Sequence, residues 1–206
     1  MNRALLIVGA GIYSVVASEV AESMNRFDRI DFVDDHATVT PIGKPVIGKI
    51  RDIAAISADY DWAFVAIGNP ETRLALIRKI EQETKMKVCT LVSPHAYVSP
   101  SARICKGSIV EPMAVVSSGS TVSVGCIVSA GAVVNHAALL CNGVHVDCNA
   151  TVGGNTLVPA GTKIHSGAYF CGDPAVAHAS SAVDRAFGAA VGAAREGSGV
   201  GNGTGK

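Results

Sequence analysis

From Val92 to Val176 every sixth residue is large and apolar: Val92, Val98, Ile104, Val110, Val116 and so on to Ile164, Phe170 and Val176. All fifteen positions keep the rule; if such residues fill about a quarter of a chain, chance agreement is on the order of 10⁻⁹. A second column lies two residues before the first, at Ala96, Ala102, Ser108, Ala114, Ser120, Cys126, Ala132 and Ala138, and it is nearly all small. A helix repeats every 3.6 residues and cannot generate this spacing. One bulky and one small inward residue per six fit a short strand followed by a tight turn. Three such units make a triangular coil of about 18 residues, and successive coils stack by backbone hydrogen bonding. Gly107, Gly119, Gly125, Gly131 and Gly143 fall near the corners, where positive φ is needed. Residues 91–178 are therefore expected to form a left-handed parallel β-helix of about five coils. Composition agrees: 49% of the chain is hydrophobic but only 5% is aromatic, so the core is Val, Ile and Ala rather than rings.

A stacked coil leaves backbone edges at its ends that something must cover. The segment before it is expected to cap one end and the tail beyond Val176 the other. That preceding segment, residues 1–90, has a different pattern. Ala4–Val8 reads as a buried strand running into Gly9-Ala10-Gly11, then a helix from Ile12 to Met24. Strands are expected over Arg29–Val33, Trp62–Ile67 and Lys87–Leu91, with a helix over Glu71–Thr84. Strand and helix alternating in this way give a small Rossmann-like α/β domain, so the chain as a whole is α/β followed by all-β. Ligands of such sheets sit beyond the carboxyl ends of the strands. Gly11, Ile12, Tyr13, Asp34, Asp35, Gly68 and Asn69 all fall at those ends and are the candidate lining of one crevice. The Gly-Ala-Gly turn alone would not carry this, because it lacks the third glycine of the dinucleotide fingerprint.

Charge removes whole classes of function. Seventeen basic and seventeen acidic residues cancel, with no basic cluster, so no nucleic-acid surface is expected. No run reaches the roughly 18 apolar residues of a membrane span, and the opening apolar stretch is broken by Gly9–Gly11 before it could serve as a signal peptide. A cytoplasmic location follows as the expectation. In that setting six cysteines without CxxC spacing read as small buried residues rather than disulfides. The Ala/Gly/Ser-rich stretch 179–206 lacks the apolar surface to fold and is expected to be a disordered tail.

Several stretches together resemble the hexapeptide-repeat sugar acetyltransferases, the sialic acid O-acetyltransferase and UDP-amino-sugar N-acetyltransferase group of the NeuD and PglD types. They are Val8–Gly11, Phe32–Asp35, Ala66–Asn69 with Arg73, Val98–Ala102, Val133–His136 through His145, and the closing Gly172-Asp173-Pro174-Ala175. The resemblance covers about residues 3–176. It implies that acetyl coenzyme A, with no metal, is the acyl donor, bound between β-helices of a homotrimer, and that the N-terminal crevice takes a nucleotide-sugar. It further implies His136 as general base, His145 at the acyl-donor site, and Gly154 as a backbone contact to the coenzyme. Three features depart from the family. Ala137 stands where a carboxylate follows the catalytic histidine, Ile12 and Tyr13 replace a glycine and a histidine, and the β-helix is shorter by more than one coil beyond His145.

Acyl transfer to an amine or hydroxyl requires a base for the nucleophile's proton and donors for the oxyanion. Imidazole suits the first task at neutral pH. His136 lies two residues past the inward Val134, and His145 directly precedes the inward Val146, so both are expected to face outward. Two other readings use the same residues. A zinc enzyme of the carbonic anhydrase type would enlist His136, His145 and His165 across an interface. A degenerate, non-catalytic trimer would account for Ala137 and the altered first loop.

Overall fold

A computed structural model describes residues 3–172. The expected closing motif beyond Gly172, the last members of the six-residue columns and the 179–206 tail lie outside these residues. The N-terminal unit is a five-stranded parallel sheet in the order β3-β2-β1-β4-β5: β1 Ala4–Val8, β2 Arg29–Val33, β3 Val46–Gly48, β4 Trp62–Val65 and β5 Lys87–Val88. Helices α1 (Ile12–Ser23), α2 (Ile53–Ile56) and α3 (Pro70–Glu83) cover its faces. β1 is a continuous apolar run because both its faces are covered. Leu5 and Ile7 pack with α1, while Ala4, Leu6 and Val8 pack with α2 and α3.

Two sequence expectations change here. β4 stops at Val65, leaving Ala66 and Ile67 to the turn before α3. The single strand expected over Lys87–Leu91 is two pieces: β5 pairs with β4, whereas the Leu91 N–H donates to the Ser108 carbonyl of the following coil. β3 was not foreseen. At three residues it shows no periodicity of its own and exists through pairing with Phe32 and Val33.

The second unit is the left-handed parallel β-helix, with two-residue strands repeating every six positions and pairing at a spacing of 18, as in Val115 with Val133 and Val133 with Thr151. Its first face carries the strands Leu91–Val92, Ile109–Val110, Ile127–Val128, His145–Val146 and Lys163–Ile164. The second carries Tyr97–Val98 to Tyr169–Phe170, and the third Arg103–Ile104 to Leu157–Val158. The bulky column fills the axis from Val110 to Val158 with no exposure at all, joined by the small column of Ala114, Cys126, Ala132 and Ala138.

A third column emerges that the sequence reading saw only in part. Every sixth residue from Gly107 to Gly167 has positive φ, including Met113, Ala137, Asn149 and Asn155. These are the corners. One corner, at 107, 125, 143 and 161, is glycine in every coil. A Cβ there would lie 2.7 Å from Ile77 Cδ1 at Gly107 and 3.1 Å from Leu74 Cδ1 at Gly143, so helix α3 packs directly on the turn backbone.

The N-terminal unit lies along the side of the prism rather than only over its end. Leu91, Ile109 and Ile127 point outward from the first face and are buried with Leu5, Ile7, Phe64 and α1 in one core. An outward apolar column needs a cover, and the α/β unit supplies it. The cysteines divide. Cys89 and Cys126 are buried as expected, but Cys148 and Cys171 are exposed, at a corner turn and after the final strand. All six are free thiols.

Candidate active site

The crest of the N-terminal sheet is assembled from the ends of β1, β2 and β4. Gly9 (φ +107) lets the chain turn where a Cβ would stand 2.9 Å from the Ala66 carbonyl oxygen. Asp34 ties the crest together. Its Oδ2 accepts from the Ala10 N–H (2.9 Å) and its Oδ1 from the N–H groups of His36 (2.8 Å) and Ala37 (2.9 Å). Burial opposes the charge, but these three donors hold the carboxyl below the usual range. Asp35 accepts from the Ile50 N–H, and Asn69 caps α3 by accepting from the Thr72 N–H at 2.9 Å. Three of the residues proposed for the crevice are thus engaged in shaping its loops. Gly11 and Gly68 face open space, and Ile12 is 75% exposed beside them, an apolar lip on the crest.

Tyr13 points elsewhere. Its hydroxyl donates to Glu111 Oε1 of the β-helix at 3.2 Å, and burial raises its pKa well above the ordinary phenol value. Arg73 also reaches across. Only 1% exposed, it donates from Nε to the Gly125 carbonyl, from Nη2 to that of Gly143, and from Nη1 to those of Ile67 and Gly68. Its guanidinium closes the crest turn onto the glycine corner.

His145 occupies the rung above Ile127 on the first face, where the covering domain gives out. Its side chain is 18% exposed, so it faces away from the prism axis as expected yet is largely shielded. Burial pushes its pKa down to about 4, assisted by Lys163 and Arg73 and opposed by Asp147. The ring is neutral at neutral pH. Its Nε2 lies 3.1 Å from Ser129 Oγ, and Asp147 Oδ2 pairs with Lys163 Nζ at 3.1 Å on the next rung.

His136 stands apart from all of this. It precedes the Ala137 corner (φ 53), between the second and third faces. In a triangular prism that edge is opposite the first face, so one chain does not bring His136 to His145 or to its own crest. The imidazole is exposed and rests on Gly154, one coil up: a Cβ at Gly154 would be 2.5 Å from His136 Cε1 and 2.8 Å from Nε2. Among the described residues neither ring nitrogen of His136 has a hydrogen-bond partner. His136 and Gly154, singled out separately in the sequence, are therefore one unit. Sequence reasoning missed Glu111 and Ser129; the available signal was a carboxylate directly after inward Val110 on a face otherwise lined by Leu91, Ile109 and Ile127.

Among the described residues no three His, Cys, Asp or Glu side chains converge as a metal site would require, and no helix is long and apolar enough to cross a membrane. A cavity of about 920 Å³ opens at the amino ends of the strands, lined by Arg3, Arg26, Phe27, Trp62 and Lys87 among others. It is at the edge of the sheet away from the crest, where parallel sheets do not gather their ligands.

Comparison with known proteins places this geometry. The PglD N-terminal domain model matches residues 4–80. A search of curated proteins gives no match. Among solved structures, the acetyltransferase domain of PglB from Neisseria gonorrhoeae FA1090, in complex with acetyl coenzyme A, is 35% identical with a TM-score of 0.78, the match covering 82% of each chain. Perosamine N-acetyltransferase from Caulobacter crescentus, a histidine variant in complex with CoA and GDP-perosamine, is 24% identical with a TM-score of 0.59, over 81% of this chain and 90% of that one. WeeI from Acinetobacter baumannii AYE is 17% identical with a TM-score of 0.56, over 80% and 87%. The last two share the fold; the first, with its identity and coverage, decides the family. This chain belongs to the hexapeptide-repeat sugar acetyltransferases.

Proposed function

We propose that the chain moves an acetyl group from acetyl coenzyme A to an amino or hydroxyl group of a nucleotide-linked sugar, as a cytoplasmic homotrimer in surface-glycan biosynthesis. The observation that carries this is the exposed His136 imidazole, both nitrogens open, seated on the Gly154 backbone at a prism corner. In the proposed reaction the acceptor nitrogen or oxygen attacks the thioester carbonyl while His136 takes its proton. The tetrahedral intermediate then expels the coenzyme thiolate, which recovers a proton from the imidazolium. A thioester is already activated, so orientation plus one base suffices. His136 lies opposite its own chain's first face, which supports a site completed by a neighbouring protomer: the corner of one against the crest and His145 of the next. Gly11, Ile12, Gly68 and the loops shaped by Asp34, Asp35 and Asn69 would receive the nucleotide-sugar, with His145 and Gly154 at the donor.

Purified protein mixed with acetyl coenzyme A and a panel of nucleotide-amino-sugars is expected to release free thiol only when a sugar acceptor is present. Absence of release across the panel, together with no calorimetric binding of acetyl coenzyme A, would leave the non-catalytic trimer as the reading.

Gly154→Ala isolates the seat of the base. The added methyl would displace a ring that can swing freely into solvent, so thermal stability should hardly change. A misplacement of about 1 Å can cost about 10²-fold in rate, and kcat is expected to fall by up to that factor. An unchanged kcat would separate the ring's position from the chemistry.

A further inference from the structure

Gly153 and Gly154 begin the turn between the second and third faces, and neither has positive φ. Backbone conformation therefore does not call for glycine there. The same two positions in the preceding coils are Ser99-Pro100, Ser117-Ser118 and Asn135-His136, so the turn accepts side chains. What sets this coil apart is what lies on it. A Cβ at Gly154 would be 2.5 Å from His136 Cε1, and a Cβ at Gly153 would be 2.8 Å from the Tyr169 hydroxyl and 3.4 Å from its Cζ. Two side chains rest on one stretch of bare backbone, His136 from the coil before and Tyr169 from the coil after.

Tyr169 is placed by its strand. It is the outward member of Tyr169–Phe170 and pairs with Thr151, two residues before Gly153. From that rung the side chain leans one coil back, and its tip meets the glycine, the hydroxyl being the nearest atom. The residue is 67% exposed, and among the described residues its hydroxyl has no hydrogen-bond partner. A phenol O–H is both donor and acceptor, so this one is free to serve a ligand. The two supports are consecutive residues, whose Cα atoms are about 3.8 Å apart. The Tyr169 hydroxyl and the His136 imidazole therefore border one small patch of the prism edge.

We infer that Tyr169 is a further ligand-contacting residue of the acetyl-transfer site, whose hydroxyl donates a hydrogen bond to a carbonyl oxygen of acetyl coenzyme A lying over Gly153 and Gly154. The inference rests on the acetyltransferase reading, which sets the coenzyme at Gly154. That molecule carries carbonyl oxygens in two places, at the thioester and in the amides of its pantetheine arm. Either accepts from a phenol, and the two are separable by experiment. Gly153 has its own part in this: by carrying no side chain it lets the phenol tip settle beside the base instead of being held off the turn.

Tyr169→Phe removes the hydroxyl and keeps the ring. Calorimetry with acetyl coenzyme A is expected to show binding weakened by about 5- to 10-fold, the loss of one well-placed hydrogen bond. Thermal unfolding should match wild type, since the residue is exposed. Free coenzyme A is the second arm. It keeps the pantetheine amides but lacks the thioester, so a loss confined to acetyl coenzyme A assigns the hydroxyl to the thioester carbonyl, and a loss with both ligands assigns it to an amide. Gly153→Ala reaches the same contact from the other side. Its methyl would push the phenol tip away without backbone strain, and it should weaken binding by a similar factor. It also preserves the test if Tyr169→Phe does not fold. Wild-type affinity of Tyr169→Phe for both ligands overturns the inference, and wild-type affinity of Gly153→Ala does the same. Either result, with the wild-type protein still binding acetyl coenzyme A and releasing thiol, spares the enzymatic reading. A wild-type protein that binds neither ligand and releases no thiol refutes that reading, and the assignment of Tyr169 with it.

Discussion

His136→Ala is expected to lower kcat by about 10²- to 10⁴-fold, the usual contribution of a general base, with the β-helix and its assembly intact. The separation of chemistry from folding follows from how the residue is held. Its backbone is held independently of the ring: the N–H donates to Asn135 Oδ1 at 2.9 Å, and the carbonyl accepts from the Asn155 N–H at 2.9 Å. The ring packs on Gly154 and is exposed, so removing it opens no internal cavity. Thermal unfolding and sedimentation of the variant should match wild type while sugar-dependent thiol release collapses. Full activity would mean that another group takes the proton. The next residue sharpens the point. Ala137 sits at φ 53, in a region where an alanine side chain is disfavoured but Asp and Asn are tolerated. The carboxylate that the family places after its histidine would thus suit this corner on backbone grounds too. Its absence leaves the ring without that partner, and orientation falls to contact with Gly154 and, in the proposed trimer, to whatever the neighbouring protomer would present.

The β-helix was legible because its rule is written in every coil. A column that must fill an axis can only be bulky, and the column beside each turn can only be small. The same reasoning placed His136 and His145 facing outward, since both adjoin inward valines. What the sequence could not reveal is burial imposed by a distant segment. Nothing local to His145 announces a pKa near 4; that depends on a domain folded from residues more than fifty positions earlier lying over Leu91, Ile109 and Ile127. Tyr13 and Glu111 meet across 98 positions, and neither side of that bond predicts the other. Acidic and amide groups at strand ends make Asp34 and Asn69 candidate ligand contacts; that they also accept from nearby backbone N–H groups is visible only in the fold. One signal was present and unread. The corner at 107, 125, 143 and 161 is glycine in every coil, while the other two corners admit Met, Ala and Asn. Positive φ alone does not demand that uniformity, but a helix packed on the turn backbone does.

That glycine corner is also where the largest stability effect is expected. Arg73→Met should destabilise the protein by about 4 kcal/mol, the low end for leaving four carbonyl oxygens without their donor at about 1–3 kcal/mol each. Among the described residues Arg73 has no carboxylate partner. Its guanidinium is held by four carbonyl oxygens, of Ile67, Gly68, Gly125 and Gly143, at 2.7 to 2.9 Å. Burial lowers its pKa, yet a guanidinium remains protonated, so the charge is carried into the junction and satisfied there by dipoles alone. Methionine keeps much of the apolar stem but leaves those oxygens without their donors, and each buried unsatisfied acceptor costs about 1–3 kcal/mol. Lysine would not repair the loss, because a single ammonium cannot reproduce the planar fork that reaches two corner carbonyls 18 residues apart and two crest carbonyls at once. Denaturant unfolding should therefore show similar losses for Arg73→Met and Arg73→Lys. Hydrogen exchange would locate the damage. Amides in α3 and at the Gly125 and Gly143 corner should lose protection first, while those along the Val115–Val133–Thr151 face, remote from the junction, should keep theirs. Uniform loss of protection through both units would mean instead that the guanidinium supports the whole fold rather than the joint between its parts.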